Sequence, residues 1–208
     1  MALYKTITVN ENTKVLIWKI EESLNQLSSN VSLQTQSNDR LKSMRSEIHQ
    51  KGFLSIRHLL KQVGYTDADL FYDEYGKPHL QDGNYISITH SFTFTAIIVS
   101  KNGPVGIDIE KQRDKIVKIA HKFTPFEEYK TIANHDALVS KLTIVWGGKE
   151  SLYKIYGKKK LLFLHHIYIE DFKFADTKTT GQIRYEGVVS DHSVHFLEFE
   201  EFTCVYAF

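Results

Sequence analysis

Cysteine is almost missing from this chain: Cys204 stands alone among 208 residues, which excludes an internal disulfide framework and a cage of thiolates around zinc. No stretch approaches the roughly 18 consecutive apolar residues of a membrane-spanning helix. The opening Met1-Ala2-Leu3-Tyr4-Lys5 also lacks the apolar core of a signal peptide, and the chain reads as cytoplasmic. Charge of one sign is missing too. Twenty-six Lys and Arg against 25 Asp and Glu leave a formal net charge of +1, so nothing draws the whole molecule to nucleic acid or to a membrane, and any anion site must be local. There is no Gly-x-Ser-x-Gly elbow and no Gly-rich Walker loop with its lysine. The ten histidines are scattered, and the one adjacent pair, His165-His166, lies in an apolar stretch without ligand spacing.

The chain does have the balance of a folded globular protein, with 42% hydrophobic and 25% charged residues. Its length allows one large domain or two of about 100 residues each. Residues 20–39, rich in Ser, Asn and Gln, suggest a loosely packed helix followed by a surface loop. Phe53, Leu54, Ile56, Leu59, Leu60 and Val63 recur at helical spacing, and Gly64 supplies a stop. Asp73-Glu74-Tyr75-Gly76-Lys77-Pro78 is dense in turn formers. Tyr85 to Thr89 alternates as a strand does, and Ala96 to Ser100 reads as a second, buried strand. Asn102-Gly103 predicts a hairpin turn into Val105-Gly106-Ile107-Asp108-Ile109-Glu110, so three successive strands are expected in one antiparallel sheet. Helical spacing returns at Ile116 to Phe123, Pro125 is expected to open a further helix, and a longer helix should run from Asp136 through Lys154 to a stop near Gly157. The aromatic and β-branched remainder reads as strand. This order points to an α+β fold.

Three constellations could carry chemistry. Alternation along Gly106 to Glu110 sets Asp108 and Glu110 on one face, about 7 Å apart. Carboxylates so placed repel, and a hard divalent cation with all-oxygen ligation would relieve them; a solvated acidic strand end would look the same. Trp146-Gly147-Gly148-Lys149-Glu150-Ser151-Leu152-Tyr153-Lys154 continues a helical stripe. Glu150 and Lys154 could form a surface i,i+4 pair, but two helical glycines cost roughly 2 kcal/mol relative to alanine, a cost that fits a close approach to the backbone or a bend. Ile88-Thr89-His90-Ser91 places an imidazole and two hydroxyls beside an expected turn, an arrangement better suited to holding a phosphate than to serine nucleophilicity.

Together these segments resemble the 4'-phosphopantetheinyl transferase superfamily, and within it the surfactin-synthetase type with two similar halves in one chain. The likeness rests on Tyr75-Gly76-Lys77-Pro78, Ile88-Thr89-His90-Ser91, Val105 to Glu110, and Trp146-x-x-Lys149-Glu150-Ser151-x-x-Lys154, in the family's order and spacing. It covers residues 50–160. Thr89 stands where serine is more usual, and Gly147-Gly148 where the family has larger residues.

The resemblance implies a pseudo-dimeric fold of two similar α+β halves, antiparallel sheets packed with helices, divided as residues 1–104 on the coenzyme A side and 105–208 carrying the metal ligands. It implies that Asp108, Glu110 and Glu150 hold magnesium, with manganese an acceptable substitute. Arg57, Lys77, Thr89, His90, Lys149 and Lys154 would contact coenzyme A, Arg57 at its 3'-phosphate. Lys122-Phe123-Thr124 and Glu128-Tyr129 resemble the segment beside the carrier-protein groove. The implied reaction moves phosphopantetheine from coenzyme A to a serine of an apo acyl carrier protein or a peptidyl or polyketide carrier domain. Glu150 would take the proton, directly or through water, and Lys154 would steady the developing charge. A monomer acting without nucleic acid or membrane is expected. The rival is a degenerate protein that binds coenzyme A or a carrier domain without turnover.

Overall fold

Strands β1 (Leu3–Asn10) and β2 (Thr13–Lys19) form an antiparallel hairpin at the start of this computed structural model, which describes residues 3–208. Met1 and Ala2, where the signal-sequence reading began, lie outside the described residues. The hairpin register slips twice, between Leu3 and Lys5 and between Thr8 and Asn10. Short helices α1 (Leu24–Ser28) and α2 (Thr35–Ser43) follow, then α3 (Glu47–Gln62), the small ribbon β3 (Leu70–Tyr72) and β4 (Pro78–Leu80), and the hairpin β5 (Tyr85–Ser91) and β6 (Phe94–Ser100). The main sheet runs β1-β2-β6-β5, antiparallel throughout. The chain divides into two compact units, this one ending at Gly103 and the next beginning at Pro104.

The apolar stripe expected of α3 packs on this sheet: Ile56, Leu59 and Leu60 join Leu16, Trp18, Ile86 and Ile97 in one buried cluster. Each such side chain stabilises by about 1.5–3 kcal/mol through the apolar surface it removes from water. Residues 20–39 differ from the expectation. They hold two short helices, and the first is the anchored one. Ser23 and Gln26 cap α1 reciprocally and Leu27 is buried, whereas α2 buries no residue.

The second unit comprises β7 (Gly106–Lys111), α4 (Lys115–Ile119), α5 (His135–Tyr156), α6 (Phe163–His166), β8 (Ile167–Ile169), β9 (Lys178–Tyr185), β10 (Val188–Phe199) and β11 (Phe202–Ala207). Its antiparallel sheet runs β7-β11-β10-β9-β8. Across the sheet lies α5, whose Leu142, Val145 and Leu152 bury against Ile169, Ile183, Val194 and Val205. Asn134 caps its start by accepting from the Ala137 amide, and Gly157 ends it in the left-handed conformation (φ 71°) that costs glycine little.

The hairpin expected at Asn102-Gly103 is absent. β6 is already paired on both edges, with β2 and β5, so no edge remains for β7, which pairs instead with β11. The hairpin turn lies one connection earlier, at Phe92 (φ 50°), and Thr89, His90 and Ser91 belong to the strand that enters it. Pro125 opens only a single 3-10 turn, Phe126–Glu128, because the Glu128 side chain is drawn into the interior. No helix among the described residues is long and apolar enough to cross a membrane.

Candidate functional site

β7 supplies the acidic pair. Ile107 and Ile109 are buried on one face of the strand, and Asp108 and Glu110 alternate onto the other, opposite Val205 and Thr203 of β11. Helix α5 lies directly over this acidic face, and missing β-carbons permit it. A Cβ on Gly106 would stand 1.9 Å from the Ser151 carbonyl oxygen, and one on Gly147 would stand 2.7 Å from a Val205 methyl and 3.8 Å from Asp108 Oδ2. The paired glycines of α5 therefore serve a close approach, and the helix runs unbroken through them.

That approach delivers Glu150 and Lys154, one helical turn apart. The Lys154 ammonium donates to Asp108 Oδ1 at 2.9 Å and to the Ile107 carbonyl at 2.7 Å, leaving one of its three N–H groups for a ligand. Burial, with help from the negative charges of Asp108 and Glu110, pushes the Glu150 carboxyl up to about 7 against the opposing pull of Lys154. The donor set suits a hard divalent cation: three carboxylates, oxygen only, with repulsion already expressed in the proton affinity of Glu150. Among the described residues the carboxylates are not gathered into a closed cluster of three, and Lys154 provides the positive charge beside Asp108.

Two clefts flank the site and share Ile119 and Trp146. One, of about 160 Å³, is lined by Glu110, Lys111, Arg113 and Lys115. The other, of about 330 Å³, is apolar, with Phe123 and Phe163 beside the indole. Trp146 meets Phe123 edge-on at 5.0 Å and lies tilted against Phe163 at 5.3 Å.

Lys149 departs from expectation. Neighbours on a helix point about 100° apart, so when Glu150 faces β7, Lys149 faces elsewhere. Its ammonium is fully buried and bonded to Glu128 at 2.9 Å, the Phe163 carbonyl at 3.1 Å and the Ile167 carbonyl at 2.5 Å. Those three acceptors match its three protons, so none is left for a phosphate. Glu128, whose other oxygen accepts from the Ile169 amide, was missed as its partner. Burial raises the Glu128 carboxyl and lowers the Lys149 ammonium, so desolvation outweighs the attraction on both sides. A second buried lysine of α5, Lys141, bonds to Asp171 at 2.7 Å and to the Phe172 carbonyl, over the Phe172 ring. Gln112 ties the end of β7 to Ser140, Thr203 and Glu198. Neither network left a periodic signal in the sequence.

The remaining candidates belong to the N-terminal unit. Arg57 is buried. It donates to Asp67 at 2.9 Å and the Phe53 carbonyl at 3.1 Å, and its guanidinium lies 3.4 Å from the centre of the Phe53 ring. Asp67 in turn accepts from the Gln34 amide and Ser37. Arg57 thus fastens α3 to the start of α2 rather than standing open to a ligand. Burial lowers its pKa and that of Lys77, whose backbone N–H donates to Asp73. Thr89 is buried in β5. His90 is half-buried, its Nε2 donating to the Phe92 carbonyl at 3.0 Å, and burial, assisted by His49, favours its neutral form.

A profile of the 4'-phosphopantetheinyl transferase superfamily matches residues 104–207. The chain is 29% identical over 158 residues to the 4'-phosphopantetheinyl transferase gsp of Aneurinibacillus migulanus, covering 70% of this chain and 64% of that protein. It is 32% identical over 101 residues to the 4'-phosphopantetheinyl transferase Sfp of Bacillus subtilis, covering 47% and 45% respectively. A further Bacillus subtilis 4'-phosphopantetheinyl transferase is 35% identical over 104 residues, or 47% and 46%. The chain spans from under half to under two thirds of the length of these relatives.

Proposed function

Since the chain belongs to the 4'-phosphopantetheinyl transferase superfamily, we propose that it is a holo-carrier-protein synthase, transferring 4'-phosphopantetheine from coenzyme A to a serine of an apo acyl or peptidyl carrier protein. The observation that carries this reading is the close packing of α5 on β7, which brings Glu150 and Lys154 to Asp108 and Glu110 within the matched segment.

In the proposed reaction the serine oxygen bonds to the β-phosphorus of coenzyme A as the bond from that phosphorus to the bridging oxygen breaks, and adenosine 3',5'-bisphosphate leaves. Glu150 accepts the serine proton. Without metal that carboxyl lies at about 7, and magnesium beside it would favour the ionised form that a proton acceptor needs near neutral pH. Lys154 offers its third N–H to the oxygens on which charge accumulates. Magnesium, or manganese in its place, would be held by Asp108, Glu110 and Glu150 and would neutralise the pyrophosphate as a Lewis acid. Lys77, Thr89 and His90 are proposed to contact the coenzyme; Lys149 and Arg57 act through the packing of their own units. The apolar cleft at Phe123, Trp146 and Phe163 offers the carrier a surface. A solitary buried Cys204 suits a reducing cytoplasm, and the proposed enzyme acts as a monomer.

Incubation with an apo carrier protein, coenzyme A and magnesium should add the phosphopantetheine mass to the carrier. Asp108→Ala and Glu150→Ala should abolish that addition while circular dichroism stays unchanged. Full transfer by either folded variant would overturn the assignment.

A further inference from the structure

Gly52 occupies the interior of α3, where glycine forms helix less readily than any residue but proline. Nothing about the helix backbone asks for it there. The reason lies across the contact with β5: a Cβ built on Gly52 would come within 2.8 Å of His90 Cε1 and Nε2 and 2.9 Å of Cδ2. The three distances are nearly equal, so the face of the imidazole lies over the place a methyl group would take. Two other contacts fix the ring: Nε2 is bonded to the Phe92 carbonyl at 3.0 Å, and the His49 ring stands edge-on at 6.1 Å. The backbone of His90 is held by its pairing with Thr95 of β6. A ring pushed off by a methyl group must turn about its own side-chain bonds, which breaks the bond to Phe92 and moves Nδ1.

We propose that Gly52 is a positioning residue for His90: the β-carbon it lacks is the seat on which the imidazole rests, and that seat aims Nδ1. With Nε2–H given to Phe92, Nδ1 is the ring atom that remains to meet a ligand. The ligand class is an oxyanion of coenzyme A, a choice that rests on the function proposed above.

Three variants of the full chain test this: Gly52→Ala, His90→Ala and the double variant. In the free protein, Gly52→Ala should shift the ring ¹⁵N and ¹H resonances of His90. It should weaken coenzyme A binding, measured calorimetrically with magnesium present, on the order of tenfold, as expected for one bond to a charged group. The loss should disappear when Gly52→Ala is introduced beside His90→Ala, since no ring remains to displace. Unchanged His90 resonances, or the same loss in the His90→Ala background, would overturn the proposal. If His90→Ala alone leaves coenzyme A binding intact, the coenzyme contact fails, and the ring resonances decide by themselves whether Gly52 seats the imidazole. If Gly52→Ala does not fold, recovery of folding in the double variant identifies the ring as the obstructing group, and failure to recover refutes it.

Discussion

At Glu150, burial and two neighbouring carboxylates favour the neutral acid while Lys154 favours the anion, and the balance lies at about 7. A carboxyl raised above its unfolded value lends the fold most stability when protonated, and that contribution is lost as pH rises through 7. Magnesium at Asp108, Glu110 and Glu150 would oppose the loss. The rise in melting temperature on adding magnesium should therefore be larger at about pH 8 than at about pH 5.5, and Glu150→Gln should shrink the difference; equal gains at both would discount the carboxylate set. Lys149 makes a different prediction. Removing it strands Glu128 as a buried charge, so Lys149→Ala should cost about 3–5 kcal/mol in denaturant unfolding, while Lys149→Met with Glu128→Leu should recover most of it. Affinity for coenzyme A in the double variant should match that of the parent, which a direct phosphate contact would not allow. The motif that contains Lys149 is legible in the sequence. Its direction is not, because its partner Glu128 sits in a short turn with no periodicity to mark it as buried.

The contact between α5 and β7 depends on distances too short for side chains. Gly106→Ala drives a methyl group into the Ser151 backbone, which no rotamer relieves, and should destabilise by about 3 kcal/mol. Gly147→Ala meets a buried Val205 side chain rather than backbone, and it gains about 1 kcal/mol of helix propensity; its net effect should be smaller by about 2 kcal/mol. Equilibrium unfolding of the two variants checks the order. The cost of two helical glycines in the sequence already pointed to a close approach. Gly106 gave no such sign, since a glycine opening a strand looks ordinary until its neighbour is known. The same limit explains the misplaced hairpin. Alternation identified β7 as a strand, but its partner β11 lies some 90 residues further on, and local turn chemistry at Asn102-Gly103 carries no information about that distant pairing.

Across the whole molecule, burial holds His90, His192 and His195 below the usual histidine pKa. A depressed value means the unfolded chain binds protons that the fold refuses, so this contribution is present above about 6.5 and is lost as pH falls below it. Melting temperature should drop on acidification, and His192→Gln with His195→Gln should flatten the decline; an unchanged slope would assign it to other groups. The α+β class was legible from the succession of patterns, and so were the long helix and the acidic strand. Residues 3–19 were not recognised as strands, although Val15 to Trp18 is a four-residue apolar run in the middle of the sheet, because so short a run does not announce its conformation. Its partner β1 is the exposed edge of that sheet, and both register slips fall there. An edge kinked at two places presents no straight ladder of amides for another chain to extend. At the high concentrations needed for storage or crystallisation, this border should resist strand-by-strand aggregation despite the exposed Leu3 and Tyr4 at its end.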